Sequence, residues 1–347
     1  MATSVSRYST RSTSNLAKNL VSLWTQRLRD AAIPEPRTST QLIMDYVIRL
    51  NQCVRILPIQ NGNPELTVQQ IQLFNKLCSK RLDRMPVQYI IREWDFRYIT
   101  LKMQPPVFIP RPETEELVDL INLHEFHHKR ENESITFLDI CCGSGAIGLS
   151  LLCENPQATC IAIDKDPNAI SLTELNSQRL NLGSRMIVEH LDVMKTEFHH
   201  GFGHDEAVDF IVSNPPYIPS KQLASLQEEI ISFESSLALD GGCDGLDIVK
   251  QILHFARLCL KDKGKIWLEV DINHPEMIEH YLNTHDTDFT YDATFKDYTN
   301  RYYSILHHLC LHMKSFNDIF IATVLILFYV FCRARFCKLE YHKKDKT

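Results

Sequence analysis

From Ile135 onward the chain repeats one pattern: a short apolar run, a polar or glycine-rich stop, then a helical stretch. Ile135, Phe137, Leu138 and Ile140 end on Cys141-Cys142-Gly143-Ser144-Gly145, which opens into helical spacing as far as Cys153. Thr159 to Ile163 stops on Asp164, Met186 to Leu191 stops on Asp192, and Val208 to Val212 runs into Asn214-Pro215-Pro216-Tyr217. Leu246 to Leu260 and Lys265 to Val270 add another helix and strand, and Asp286 to Leu306 is expected to hold the last two strands. Apolar runs alternating with helices specify a doubly wound, largely parallel α/β sheet, because parallel neighbours need a crossover between them. Such a sheet collects the residues that end its strands on one carboxyl edge, where open α/β sheets bind ligands.

The order of those strand ends is informative. Glycines at a strand-to-helix turn let a ligand approach the backbone, and a helix N-terminus favours a carboxylate or phosphate. Dinucleotide enzymes use such a turn as well. Asp164 follows about 20 residues later, the spacing at which a carboxylate takes a ribose diol. Taken alone, each carboxylate is an ordinary solvated strand end; in this order they point to a ligand.

Asn214-Pro215-Pro216-Tyr217 suits methylation of a planar nitrogen. An amide or exocyclic amine has its lone pair tied up in conjugation and needs two acceptors that hold its N–H groups. The Asn214 side-chain oxygen is one acceptor and the Pro215 carbonyl is the other. Two prolines fix φ and remove donors, and Tyr217 offers a flat apolar face. A plain Pro-Pro turn after a buried strand reads the same four letters without chemistry.

With these residues in place, the chain resembles the HemK/PrmC glutamine methyltransferases, over roughly residues 24–306 and most closely their mitochondrial branch. The resemblance is carried by Met85-Pro86-Val87-Gln88-Tyr89-Ile90, Glu93-Trp94-Asp95-Phe96 and Pro106-Val107-Phe108-Ile109-Pro110-Arg111-Pro112-Glu113-Thr114-Glu115. Asn-Pro-Pro-Tyr alone is shared with adenine-N6 methyltransferases. The resemblance implies a seven-stranded class I methyltransferase sheet with a small N-terminal helical domain and an antiparallel closing hairpin around Lys296-Asp297-Tyr298. It implies S-adenosylmethionine as donor, held by Asp139, Cys141, Gly143 and Gly145 of the turn, with its ribose at Asp164, its adenine near Asp192 and its methyl facing Asn214. Asn214, Pro215, Pro216 and Tyr217 would then hold the glutamine of a Gly-Gly-Gln motif in a peptide chain release factor. The family's first turn glycine is Cys141 here, and its Glu-Ile/Val-Gly is Glu269-Val270-Asp271. A Cβ at 141 implies either a negative φ or a ligand standing slightly off the turn. The segment from Glu234 to Gly245 is glycine-rich, reads as mobile, and resembles a loop that covers the site.

Composition narrows the partners. With 347 residues and 44% apolar content the chain is long enough for two globular domains. Its net charge of −6 lacks the basic footprint of a duplex-DNA enzyme, so no stable nucleic-acid binding is expected. Eleven cysteines without a C-x-x-C pair read as reduced, buried thiols. The first 29 residues carry no Asp or Glu but five Arg/Lys, with eight Ser/Thr before Asn15. That is the composition of a mitochondrial presequence leading to the matrix, or of a polar N-terminus in a cytoplasmic protein. Leu16 to Ala32, Gln41 to Leu50 and Val68 to Leu82 have helical apolar spacing, broken at Pro34, Pro36 and Asn61-Gly62-Asn63-Pro64. The expected division is a presequence at 1–14, a helical domain at 15–88, a hairpin linker at 89–110 spanning Trp94 to Phe108, a methyltransferase domain at 111–306 and a tail at 307–347. The helical domain docks the protein substrate in the family; as sequence alone it reads equally as a packing lid.

His124-Glu125-Phe126-His127-His128 spells H-E-x-x-H, yet it runs into Lys129-Arg130-Glu131 and reads as a solvated helix end. His199-His200 and His307-His308 read as surface histidines. Ile319 to Cys332 is an apolar run shorter than the 17–25 residues of a bilayer span, so membrane association of the tail stays open beside an alternative C-terminus. Three functions remain: release-factor glutamine methylation, adenine methylation on nucleic acid, and a non-catalytic binding protein on a methyltransferase fold.

Overall fold

The computed structural model describes residues 9–52, 66–127, 133–195, 207–285, 288–296 and 306–313. Helices α1 (Ser9–Asp30), α2 (Pro36–Gln52), α3 (Val68–Leu82) and α4 (Val87–Ile91) form the N-terminal domain. Their core gathers Trp24, Ile43, Met44, Val47, Phe74, Leu77, Val87, Ile90 and Ile91, the apolar stripes that helical spacing turns inward. A capping box starts α3: Gln70 N–H donates to Thr67 Oγ1 at 3.2 Å and Thr67 N–H to Gln70 Oε1 at 2.9 Å. Pro36, expected as a break, is the first residue of α2, a position whose N–H has no helical partner to lose. Helix α1 reaches back to Ser9, into the stretch expected as presequence, and the expected break at Asn61–Pro64 lies outside the described residues.

The linker hairpin is shorter than expected. Strands β1 (Glu93–Phe96) and β2 (Ile99–Lys102) pair antiparallel, and the pairing stops before Pro105 and Pro106, which cannot donate to a ladder. Lys102 N–H donates to Asn176 Oδ1 at 2.7 Å, and Arg97 in the turn grips Glu154 at 2.7 and 3.0 Å. These contacts fasten the hairpin to the larger domain.

That domain follows with α5 (Thr114–Ile121), β3 (Ile135–Ile140), α6 (Ala146–Glu154), β4 (Ala158–Asp164), α7 (Pro167–Arg179), β5 (Met186–His190) and β6 (Val208–Ser213). Then come α8 (Glu228–Phe233), α9 (Asp247–Cys259), β7 (Leu260–Asp271), α10 (His274–Thr284), β8 (Phe289–Lys296) and β9 (Leu306–Met313). Among the described residues the strands form one seven-stranded sheet in the order β5-β4-β3-β6-β7-β9-β8. β3 to β7 run parallel, and β9 is antiparallel to both its neighbours. The central strands are apolar on both faces because helices cover both. Phe137 and Phe210 stack at 5.0 Å on one side, while Leu138, Ile140 and Ile211 enter the core on the other.

β9 extends past residue 306, where the domain edge was placed from the family motifs. Backbone pairing with β7 runs from Asp271 opposite Leu306 to Lys265 opposite His312, so β9 satisfies the backbone of the C-terminal part of the longer strand β7. His307 and His308 therefore lie in this strand. The apolar run at 319–332, His199-His200 and Asp297-Tyr298 lie outside the described residues, among which no helix is long and apolar enough to cross a membrane. Cys153 and Cys243 are exposed, against the expectation of uniformly buried thiols, whereas Cys78, Cys142, Cys160 and Cys259 are buried.

Candidate active site

The carboxyl ends of β3, β4, β5 and β6 open onto one cleft of about 1470 Å³, whose far wall is the helical domain at Pro34, Glu35, Arg81 and Pro86. Cys141, Gly143, Asp164, Asp192, Asn214, Pro215, Pro216 and Tyr217 all line it. Asp139 and Gly145, also expected in the cofactor set, do not.

Asp139 is fully buried, and its Oδ2 accepts the Gly148 N–H at 3.0 Å, so it ties the first turn of α6 to β3 beneath the cleft. Its Oδ1 has no partner among the described residues, and burial pushes its carboxyl up to about 7. Gly145 has φ +80°, and a Cβ there would meet Leu149 Cδ1 at 2.8 Å and Thr173 at 3.1 Å, so it serves close packing of the helix start. Gly143, at φ +58°, is the open member of the turn: a Cβ on it would meet nothing within 4 Å. Cys141 holds φ +60°, the left-handed region, where a negative angle was one of the two expectations for a side-chain-bearing residue. The turn keeps a glycine backbone path with a cysteine on it, at a strain of about 1–2 kcal/mol.

Asp164 is less free than a strand-end carboxylate. Its Oδ2 accepts the Gly143 N–H at 3.0 Å and its Oδ1 the Asp166 N–H at 2.9 Å, with one lone pair left on each oxygen. It thus shapes the glycine turn while facing the cleft with capacity for two hydroxyls. Burial raises its carboxyl above the usual range. Asp192 sits two residues past β5, where its Oδ1 accepts Met194 N–H at 3.1 Å.

Asn214 is held by residues that sequence reasoning had used only as family markers. Its Nδ2 donates to Glu269 Oε1 at 2.7 Å and to Thr114 Oγ1 at 3.3 Å. Both amide hydrogens are thereby committed, which leaves the Oδ1 as the remaining acceptor of a side chain that lines the cleft. Glu269 lies in the buried part of β7 with no exposed surface, and its Oε2 has no partner among the described residues. Burial pushes its carboxyl up to about 7. Thr114 belongs to Ile-Pro-Arg-Pro-Glu-Thr-Glu, so that segment contributes directly to the Asn214 setting. Burial and the neighbouring Glu269 push the Tyr217 phenol well above its ordinary range.

The segment from Glu234 to Gly245 is a wall, not a mobile cover. Ile218 N–H donates to Leu239 O at 3.0 Å, Gly241 N–H to Ile218 O at 2.9 Å and Ser220 N–H to Gly242 O at 2.8 Å. Glu234 is buried and takes Arg111 Nη2 at 2.7 and 2.9 Å. The glycine at 241 serves close approach: a Cβ there would lie 2.8 Å from Pro216 O and from the Tyr217 Cα. Ser235, Leu237, Ala238 and Leu239 line the cleft from this wall.

The H-E-x-x-H stretch ends as a π-turn, Asn122–Phe126, but Glu125 is not solvated as expected. Its Oε1 accepts from Lys265 Nζ at 2.9 Å and from Trp267 Nε1 at 3.0 Å, which anchors the turn on β7. No group of three or more metal-ligating side chains occurs among the described residues.

A family model of the PrmC N-terminal domain matches residues 19–91, and one of the methyltransferase small domain matches residues 122–242. The human MTRF1L release factor glutamine methyltransferase is 46% identical over 274 residues, 77% of this chain and 80% of that protein. The release factor glutamine methyltransferases of Caulobacter vibrioides and Clostridium acetobutylicum are 33% and 30% identical, over 86% and 81% of their lengths and 75% and 70% of this chain.

Proposed function

Since the chain belongs to the release factor glutamine methyltransferase family, we propose that it methylates the side-chain nitrogen of the glutamine in a Gly-Gly-Gln motif of a peptide chain release factor. The observation that carries this reading is the Asn214 amide in the cleft lining, whose two hydrogens are taken by Glu269 and Thr114 so that its oxygen remains to accept.

S-adenosylmethionine, when bound, supplies an electrophilic methyl on its sulfonium. The residues present fit it: an open turn at Gly143, the spare lone pairs of Asp164 and the polar end of Asp192 all face the one cleft. On the substrate side, Asn214 Oδ1 and the Pro215 carbonyl each take one N–H of the glutamine amide. The amide plane is then fixed and its lone pair is aimed out of that plane. Tyr217 and Pro216 line the wall beside it and limit its tilt. Neither acceptor is basic enough to keep a proton, so the one displaced from nitrogen passes to water. The catalytic gain is orientation, an effect worth up to about 7–11 kcal/mol in well-aligned systems.

The acid-free, Ser- and Arg-rich first 29 residues support a mitochondrial matrix location. The net charge of −6 favours a protein over a nucleic-acid substrate. The deciding experiment is transfer of labelled methyl to an intact release factor and, in parallel, to duplex and single-stranded DNA. Label is expected on the release-factor glutamine alone. Label on DNA adenine would replace this reading with base methylation. Cofactor binding with no label on either would leave a binding protein.

A further inference from the structure

The two partners of the Asn214 amide come from distant parts of the chain, Glu269 55 residues later and Thr114 100 residues earlier. Resting on the reading of the cleft given above, we propose that the Glu269 carboxylate, backed by Thr114, is the positioning residue that decides which end of the Asn214 amide faces the substrate.

The two ends of an asparagine amide are nearly isosteric and chemically opposite. Turned one way, Asn214 offers the acceptor that a glutamine amide needs. Turned the other way it presents two donors to a substrate group that is itself a donor, and the nitrogen is no longer held. Nothing in the Asn-Pro-Pro-Tyr loop selects between the two. Selection comes from behind. An ionised carboxylate accepts only, so Glu269 tolerates the NH₂ end alone, at the 2.7 Å of a charge-assisted bond. The Thr114 hydroxyl at 3.3 Å takes the second hydrogen.

Protonation of Glu269 removes the selection. A carboxylic acid carries one donor, and the Asn214 amide that points its NH₂ at Glu269 can offer its Oδ1 to that donor only by turning over. The amide then gains by flipping. Burial, with Glu113 adding to it, raises this carboxyl to about 7, while Thr114, Asn214 and Arg111 act against the rise. Tyr217, from the loop in front, also feels the carboxylate. Turnover should therefore rise with pH through this ionisation.

Stability answers the same ionisation with the opposite sign to turnover. A buried carboxyl that binds its proton more readily folded than unfolded subtracts from stability as pH rises from about 4.3, its unfolded value, to about 7. Removing its charge then leaves Tm at pH 8 unchanged or higher.

The test uses the full chain, an intact release factor and labelled donor. Glu269→Gln is expected to lower kcat about 10- to 100-fold, the range of a lost hydrogen bond to a charged group. KM for both substrates should stay within about threefold, Tm at pH 8 should not fall, and the acid limb of kcat should disappear. Thr114→Val should lower kcat less, and Thr114→Ser should restore it. In the cofactor-free wild type, the Asn214 side-chain amide resonances should move with the same midpoint as kcat. A Glu269→Gln enzyme within threefold of wild-type kcat and with its acid limb intact overturns the proposal. So does a Thr114→Val enzyme with full kcat if Glu269→Gln fails to fold. A wild type that methylates no release factor would instead overturn the substrate reading, and the resonance titration would still decide the orienting contact.

Discussion

Asn214 shows how one side chain acquires a direction. Its amide is anchored by Glu269 at 2.7 Å and Thr114 at 3.3 Å, so truncation removes an oriented acceptor and leaves the cofactor side of the cleft standing. Asn214→Ala is expected to abolish methyl transfer through kcat while calorimetry shows cofactor binding nearly intact; turnover within a few-fold of wild type would refute the assignment. Asp164 makes the complementary case. It should contribute about 1.5–3 kcal/mol to cofactor binding, the range for hydrogen bonds to a charged group, and its bond to Gly143 N–H shapes the turn as well. Asp164→Ala should therefore weaken the cofactor Kd by at least that amount in titration calorimetry, and an unchanged Kd would remove Asp164 from the site. Cys141 carries the opposite lesson, since it stays at φ +60° despite its Cβ because the neighbouring turn dictates the path.

At the scale of elements, periodicity located β3 to β6 and helices α3 and α9 within a residue or two, because burial on both faces of a parallel strand leaves an unbroken apolar signature. By contrast, α1, α2 and β7 begin five to seven residues earlier than expected, and β9 runs past the expected range. The misses have local causes. Pro36 opens a helix instead of breaking one, and the prolines at 105 and 106 shorten the hairpin. The glycine-rich wall from Glu234 to Gly245 was misread because glycine signals both freedom and close approach, and only the neighbour distinguishes them. Gly241 supplies a sharp test. A Cβ there would lie 2.7 Å from Gly245 O and 2.8 Å from Pro216 O, both backbone atoms that cannot rotate away. Gly241→Ala is expected to destabilise by about 1–3 kcal/mol in denaturant titration and to lower kcat by displacing Pro216 and Tyr217. Wild-type stability and turnover together would show that the wall is loose after all.

Across the whole molecule, the helical domain is fastened to the segment that follows Tyr217. Arg84 pairs with Glu228 at 2.8 Å and Glu229 at 3.1 Å, and the buried Arg81 lies 3.6 Å from Glu229. The partly exposed pairs contribute little, whereas losing one partner of the buried pair leaves an uncompensated charge. A cleft walled by both domains gives a folded substrate contacts far from the methyl, and remote binding energy of this kind is spent on reaction rate. Glu35, exposed on the helical side of the cleft, probes that contact without touching the chemistry. Glu35→Lys should lower kcat/KM on an intact release factor several-fold more than on a short Gly-Gly-Gln peptide. Equal losses on the two would make the helical domain a support for the catalytic fold only.

The sequence by itself determined the doubly wound sheet, the carboxyl edge on which the polar strand ends gather, and the acceptor-rich loop at Asn214 to Tyr217. Each follows from local periodicity and from what proline, glycine and asparagine are able to do along the chain. The tertiary structure alone decided that Asp139 and Gly145 withdraw beneath the cleft, that Asp164 is already half-satisfied, and that the 234–245 segment is a wall. It also decided which end of the Asn214 amide looks outward, since Glu269 and Thr114 reach it from separate elements. A hydrogen-bond partner or a close backbone approach is a fact about neighbours in space, and no spacing along the chain encodes it.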